Sequence, residues 1–153
     1  MREALEETGL ESFVMTSGSR GLHVWVPLGA TAGFDDVRAF ARGVSDLLAR
    51  RHPDRLTVET RKAARGERVF IDYLRNGWAQ TSAPPYSVRP RPGAPVATPL
   101  DWDELGARGL GPRRYTIRNL FRRLGQRPDP WERMSGSAVS LEAAERRLAE
   151  MTA

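Results

Sequence analysis

Ser17-Gly-Ser-Arg-Gly-Leu-His-Val-Trp-Val-Pro27 is the stretch from which the chain is read outward. Ser17 to His23 hold two glycines, two hydroxyls, a cation and an imidazole, and then run into an apolar segment. Glycine lets a backbone turn with φ > 0 and come close to a ligand. Serine hydroxyls, exposed amides and a guanidinium are donors that phosphate oxygens accept from. Upstream, Glu11-Ser-Phe-Val-Met-Thr16 is rich in β-branched and aromatic residues and predicts a strand. Downstream, Leu22 to Leu28 predicts a second, with His23 and Trp25 on one face and Leu22, Val24 and Val26 on the other. The stretch therefore predicts a hairpin with a glycine-rich loop at its tip. Such a loop also serves simply to reverse a chain. It is neither a Walker A loop nor a GxGxxG fingerprint, so the remaining residues decide between turn and phosphate cradle.

The 153 residues make one domain's worth of chain with enough length to bury a core. No apolar run approaches the ~18 residues of a membrane-spanning helix, which excludes that class of membrane protein. Met1-Arg-Glu-Ala-Leu-Glu-Glu7 lacks the apolar core of a signal peptide. Without cysteine there is no disulfide, thiolate nucleophile or zinc–thiolate site, which agrees with a cytoplasmic address. The net charge of +5 is unevenly spread. From Arg50 to Arg91 ten cations face four acids, and from Arg108 to Arg133 eight arginines face two, each block carrying +6. Two such blocks suggest a polyanion partner, although solvated arginine faces have the same composition.

Along the chain, Arg2–Glu7 predicts a short helix closed by Gly9. From Asp35 or Asp36 an amphipathic helix places Val37, Phe40, Ala41, Val44, Leu47 and Leu48 on one face and stops near His52-Pro53. Leu56–Glu59 predicts a short strand. After the cationic run Arg61 to Arg68 comes Val69-Phe-Ile-Asp-Tyr-Leu-Arg-Asn76, in which Asp72 sits among apolar residues. If that segment is a buried strand, Asp72 requires a partner or a metal, and Arg75 is the nearest cation. Gly77–Ser82 is a candidate further strand, Ala83–Arg89 is extended, and Pro90–Pro99 predicts a stiff connector. Asp101 with Glu104 forms a capping pattern rather than a metal-binding Asp-x-Asp. Tyr115–Leu124 predicts a basic helix with Ile117, Leu120, Phe121 and Leu124 inward and Arg118, Arg122 and Arg123 outward. Gln126–Ser137, anchored by Trp131, precedes a last helix capped by Ser140.

Four blocks occur in an order that is specific. They are Thr16-Ser-Gly-Ser-Arg-Gly-Leu-His-Val24; Lys62-Ala-Ala-Arg-Gly66 with Val69–Asn76; Ala83-Pro-Pro-Tyr-Ser-Val-Arg89; and Gly93-Ala-Pro-Val-Ala-Thr-Pro-Leu-Asp-Trp-Asp-Glu-Leu105. In these the chain resembles the polymerase domain of bacterial DNA ligase D, the non-homologous end-joining branch of the archaeo-eukaryotic primase superfamily. The resemblance covers residues 1–133, leaving 134–153 as a C-terminal helix. It implies a mixed α/β fold with a largely antiparallel, RRM-like sheet and packed helices. It further implies metal-dependent transfer of nucleotides to DNA ends, with NTP and DNA as partners and magnesium or manganese as the ion. By the same resemblance Ser17 and His23 contact the phosphates of the incoming nucleotide, and Arg75 and Arg89 grip its triphosphate. Asp72 becomes the catalytic, metal-binding carboxylate. Arg20 stands where the family often has lysine, which keeps the charge and changes the geometry.

One family feature is not found. The Asp-x-Asp motif that supplies most of the two-metal site lies upstream of the glycine loop, and before Ser17 this chain offers only Glu3, Glu6, Glu7 and Glu11. Asp101-x-Asp103 lies downstream and matches another block. The expectation is the C-terminal half of a primase-polymerase domain, inactive alone, with the remaining half of the domain or a ligase as partner. The competing expectation is a non-catalytic module that binds nucleotide or nucleic acid. A phosphoesterase with paired histidines is disfavoured, since only His23 is placed for chemistry.

Overall fold

Phe13-Val-Met-Thr16 is buried along its whole length, and both of its edges are paired. The computed structural model describes all residues, Met1–Ala153. In chain order it holds α1 (Arg2–Glu7), β1 (Phe13–Thr16), β2 (Leu22–Trp25), α2 (Phe34–Arg51), β3 (Leu56–Thr57), α3 (Lys62–Arg65), β4 (Val69–Phe70), β5 (Pro99–Leu100), α4 (Leu120–Leu124) and α5 (Glu142–Thr152). Short 3-10 turns lie at Leu74–Asn76, Trp102–Gly106 and Met134–Ser137. The chain forms two compact units: Met1–Leu10 with Leu28–Ser82 and Val139–Ala153, and Glu11–Pro27 with Ala83–Ala138.

The second unit is built on an antiparallel sheet of order β2-β1-β5. Phe13 faces Trp25, Met15 faces His23 and Thr16 faces Leu22, so the expected hairpin forms, with strands shorter than Glu11–Thr16 and Leu22–Leu28. The segment expected to be a stiff connector contributes β5 instead. Val96, Ala97 and Thr98, between Pro95 and Pro99, are fully buried, as is Leu100 just beyond. Thr98 and Thr16 exchange backbone hydrogen bonds of 3.2 and 2.9 Å, and Pro99, which lacks an N–H, sits beside Met15 at the sheet edge. Phe13, Met15, Ala83, Ala97 and Trp131 form the core under this sheet. Trp131 meets Phe13 edge-to-face at 6.1 Å, and its indole N–H donates to the Val14 carbonyl at 3.1 Å. The Gln126–Ser137 segment is thus anchored as expected.

Asp101 and Glu104 do cap the 3-10 turn at Trp102–Gly106, with the Asp101 amide donating to Glu104 at 2.9 Å. The helix expected over Tyr115–Leu124 is corrected to Leu120–Leu124. Tyr115 is drawn into an extended bridge, its carbonyl accepting from Val96 N. Thr116 N donates to the Asn119 side chain at 2.8 Å, a local bond that competes with helix. The expected faces hold for Leu120, which is buried, and for Arg118 and Arg122, which are exposed, but they fail at Ile117, Leu124 and Phe121, which is 77% exposed, and at Arg123, which is buried. The Arg123 guanidinium forms a bidentate pair with Glu104, one arm at 2.7 Å, and donates to the Pro99 carbonyl at 3.1 Å and to Tyr115 Oη. Those partners satisfy an interior guanidinium. Burial raises the Glu104 pKa, but hydrogen bonds from Arg123 and the Asp101 amide outweigh it and hold the carboxyl below its ordinary value.

In the first unit, Phe40, Val44, Leu47 and Leu48 line the inner face of α2, as the periodicity requires. Burying each such side chain contributes roughly 1.5–3 kcal/mol. Gly43 lets α5 cross closely, since a Cβ there would lie 2.9 Å from Leu148 Cδ2. Glu7 accepts twice from Arg51, joining α1 to the end of α2. Gly9, at φ +81°, closes α1. The last helix begins beyond Leu141, with no capping bond from Ser140. β3 and β4 pair in parallel, Leu56 opposite Val69.

The strand expected over Val69–Asn76 ends at Phe70, and none of those eight residues is buried. Asp72 Oδ1 accepts from Leu74 N at 3.1 Å, and this side-chain turn starts the 3-10 segment in place of a longer ladder. Gly77–Ser82 is likewise not a strand. Gln80 N donates to the Gly77 carbonyl at 3.2 Å around Ala79, whose φ is +56°. No helix is long and apolar enough to cross a membrane.

Candidate nucleotide-binding site

The Ser17–Gly21 loop is locked by its first residue. Ser17 N donates to the Gly21 carbonyl at 3.0 Å. Ser17 Oγ accepts from the amides of Ser19 and Gly21, each at 3.1 Å. A hydroxyl has two acceptor lone pairs and one proton, so both acceptor positions are taken and the O–H is left to donate. That is the polarity an anion requires.

Gly18 has φ +63°, and a Cβ there would lie 2.6 Å from Arg89 Cγ and 3.3 Å from the backbone of Val96 and Ala97. Glycine is needed twice over, for the left-handed backbone and for the Arg89 stem that lies against it. Arg89 is held from its own strand-like segment, where its amide donates to Pro95 at 2.8 Å and Ala97 N donates to Ser87 at 2.9 Å. Its Nε is buried without a hydrogen-bond partner. On the same loop Arg113 Nε donates to the Ser19 carbonyl at 2.9 Å, leaving the other guanidinium nitrogens as donors. Arg20 is exposed at the tip, and His23 lies in β2 opposite Met15. The second unit therefore brings together Ser17, Gly18 and Arg89, with Arg20 on the same loop and His23 two residues into the adjoining strand.

Asp72 and Arg75 belong to the first unit. Their side chains are exposed, with Arg75 Nε 3.7 Å from Asp72 Oδ2, a solvated pair contributing little by itself. Arg75 Nη1 donates to Gln80 Oε1 at 3.3 Å. The cationic run before Asp72 is tied to itself: Arg65 donates to the carbonyls of Glu59 and Thr60, Arg68 to those of Ala64 and Arg65, and the Arg65 guanidinium stacks 3.8 Å over Phe70. No group of three His, Cys, Asp or Glu residues is placed to hold a metal ion. Asp72 is thus a single hard ligand, and this donor set does not fit a two-metal site.

Sequence reasoning missed Arg113, which carries no motif, and it missed Trp78, which is 77% exposed three residues after Arg75. In the sequence Arg113 figured only within the basic block Arg108 to Arg133.

A basic mixed α/β protein with a glycine-rich hairpin loop flanked by guanidinium groups is the class these observations define. Within it, the chain belongs to the LigD primase-polymerase domain family, whose model matches residues 1–131. It is 38% identical over 145 residues to the multifunctional non-homologous end joining protein LigD of Pseudomonas aeruginosa, covering 94% of this chain and 17% of that protein. It is 36% identical over 105 residues to the protein of the same description from Mycolicibacterium smegmatis, covering 69% and 14%. Among solved structures it resembles the polymerase domain from Mycobacterium tuberculosis ligase D in complex with DNA. That match has a TM-score of 0.82 and 32% identity, over 90% of this chain and 47% of that one. The chain thus spans about a sixth of the length of the first of these relatives, and about half of the solved polymerase domain.

Proposed function

We propose that this chain is the triphosphate-gripping part of a DNA-repair primase-polymerase, which adds nucleotides to DNA ends by phosphoryl transfer. The observation that carries the reading is the Ser17–Gly21 loop, with the Ser17 hydroxyl left as a donor and the Arg89 stem seated against Gly18. Phosphoryl transfer is mostly positioning and charge neutralisation, and these groups supply both. In this reading Ser17, Arg20 and Arg89 bind the phosphates, with His23 next along the strand. Arg75 and Asp72, of the first unit, are assigned by the family resemblance alone, as a further cation and as one carboxylate toward a divalent ion, magnesium or manganese. The ion would neutralise charge on the transferring phosphate. Its other ligands come, on this proposal, from polypeptide outside these residues, and a ligase domain is the further partner.

The test is an NTP incorporation assay on DNA ends. The chain alone is expected to bind NTP weakly and DNA in a salt-sensitive way, with negligible synthesis. Synthesis is expected when the rest of the domain is supplied, and it should disappear on Asp72→Ala. Incorporation that survives Asp72→Ala would remove the metal assignment. NTP binding and DNA binding without synthesis in any combination would favour the non-catalytic module.

A further inference from the structure

Trp78 is 77% exposed and Phe34 is 55% exposed, and the two rings meet edge-to-face, 5.2 Å between centroids at 81°. Two large aromatic rings touching each other in solvent bury little area for their size, and such patches mark binding surfaces. Trp78 occupies the apex of the Gly77–Gln80 turn, and the turn is strained. Ala79 takes a left-handed φ of +56°, which suits glycine and strains alanine. Backbone strain of this kind gathers where a side chain must be presented rather than packed.

Both ends of the turn carry a guanidinium group. Arg75 donates to Gln80 at 3.3 Å, and Arg38 Nη1 lies 3.6 Å from where a Cβ on Gly77 would be. One turn of α2 further along, Arg42 lies over the Tyr73 ring at 6.0 Å. The carboxylates nearby are Asp35 and Asp36, which follow Phe34 in the first turn of α2, and Asp72 and Asp46, which stand 3.7 and 3.6 Å from Arg75 and Arg42 on an exposed surface. Pairs that loose exchange readily for a phosphate. An aromatic face between cations at this spacing suits a nucleic-acid strand, whose base stacks while its phosphates meet the guanidinium groups.

We propose that the Phe34–Trp78 pair is a stacking platform for one unpaired base of a single-stranded DNA segment, with Arg38 and Arg75 taking the flanking phosphates. This rests on the nucleic-acid reading given above and adds a base-contacting element to it. The platform is sequence-tolerant, because every base presents a π-face.

The experiment compares a labelled single-stranded DNA with an abasic strand of equal length, without nucleotide or metal. Trp78→Ala is expected to weaken binding of the base-bearing strand by about five- to hundredfold while leaving the abasic strand within about twofold. Trp78→Phe should keep most of the affinity. The slope of log affinity against log salt should be unchanged in Trp78→Ala and should fall by about one in Arg38→Ala. Equal weakening on both strands, or none on either, overturns the platform while leaving the polyanion reading intact. A wild-type chain that binds neither strand overturns both. Self-association abolished by Trp78→Ala would make the patch a protein interface and also overturns the proposal. Circular dichroism of each variant excludes misfolding, and substitution at so exposed a position should not change the fold.

Discussion

Replacing Gly18 by alanine tests how tightly the loop and Arg89 are joined. The new Cβ would force a left-handed φ of +63° on alanine, at about 1–2 kcal/mol. It would also overlap Arg89 Cγ at 2.6 Å and crowd the backbone of Val96 and Ala97 at 3.3 Å. Overpacking of this kind costs about 1–3 kcal/mol, and the stem of an arginine yields part of it. The total is about 2–4 kcal/mol of stability. Arg89→Ala removes Cγ, so in that background only the backbone cost of about 1–2 kcal/mol should remain. The two substitutions should therefore couple by about 1–2 kcal/mol in a double-mutant cycle. Urea unfolding followed by circular dichroism measures this, with an unchanged m-value indicating that the unfolded state is not responsible. Gly18→Ala costing the same with and without Arg89 would refute the packing argument. A neutral Gly18→Ala would refute the loop geometry altogether.

Two further outcomes follow from the interior and from the strained turn. Glu104 has a folded pKa below its ordinary 4.5, so its contribution is present above that value and is lost as pH falls through the lowered folded one. Glu104→Gln should therefore flatten the acid limb of stability and cost about 3–5 kcal/mol near neutrality by leaving Arg123 buried without its partner; an unchanged acid limb would refute this. Ala79→Gly should stabilise the chain by about 0.5–1 kcal/mol in the same unfolding assay, because glycine accepts φ +56° without strain. No gain would mean that the turn is not held in that conformation.

The hairpin was legible because its signals are local. Alternation placed the strands, and Ser-Gly-x-x-Gly placed the turn between them. The same holds for Asp101 with Glu104, whose capping bond spans three residues. What the sequence could not reveal depends on distant partners. Arg123 goes inward because Glu104, nineteen positions earlier, and the Pro99 carbonyl are there to receive it. Periodicity assigned Phe121 to the core, yet the helix is rotated about that buried pair. Asp72 is the opposite case. An apolar neighbourhood in sequence implied burial, but the side chain instead bonds the Leu74 amide two residues on and stays in solvent. The site was legible as residue types in order, and the loop's closure by Ser17 Oγ and the arrival of Arg113 were not.

On the proposed function, the loop grips a triphosphate through the Ser17 hydroxyl and the Arg89 guanidinium. Titration calorimetry of the chain with a nucleoside triphosphate, diphosphate and monophosphate tests it most directly. Affinity should fall with each phosphate removed. Arg89→Ala and Ser17→Ala should each weaken triphosphate binding about 10–100-fold, as expected for a hydrogen bond to a charged group, and should compress the differences among the three ligands. Equal affinity for triphosphate and monophosphate, or differences that persist in Arg89→Ala, would contradict the account.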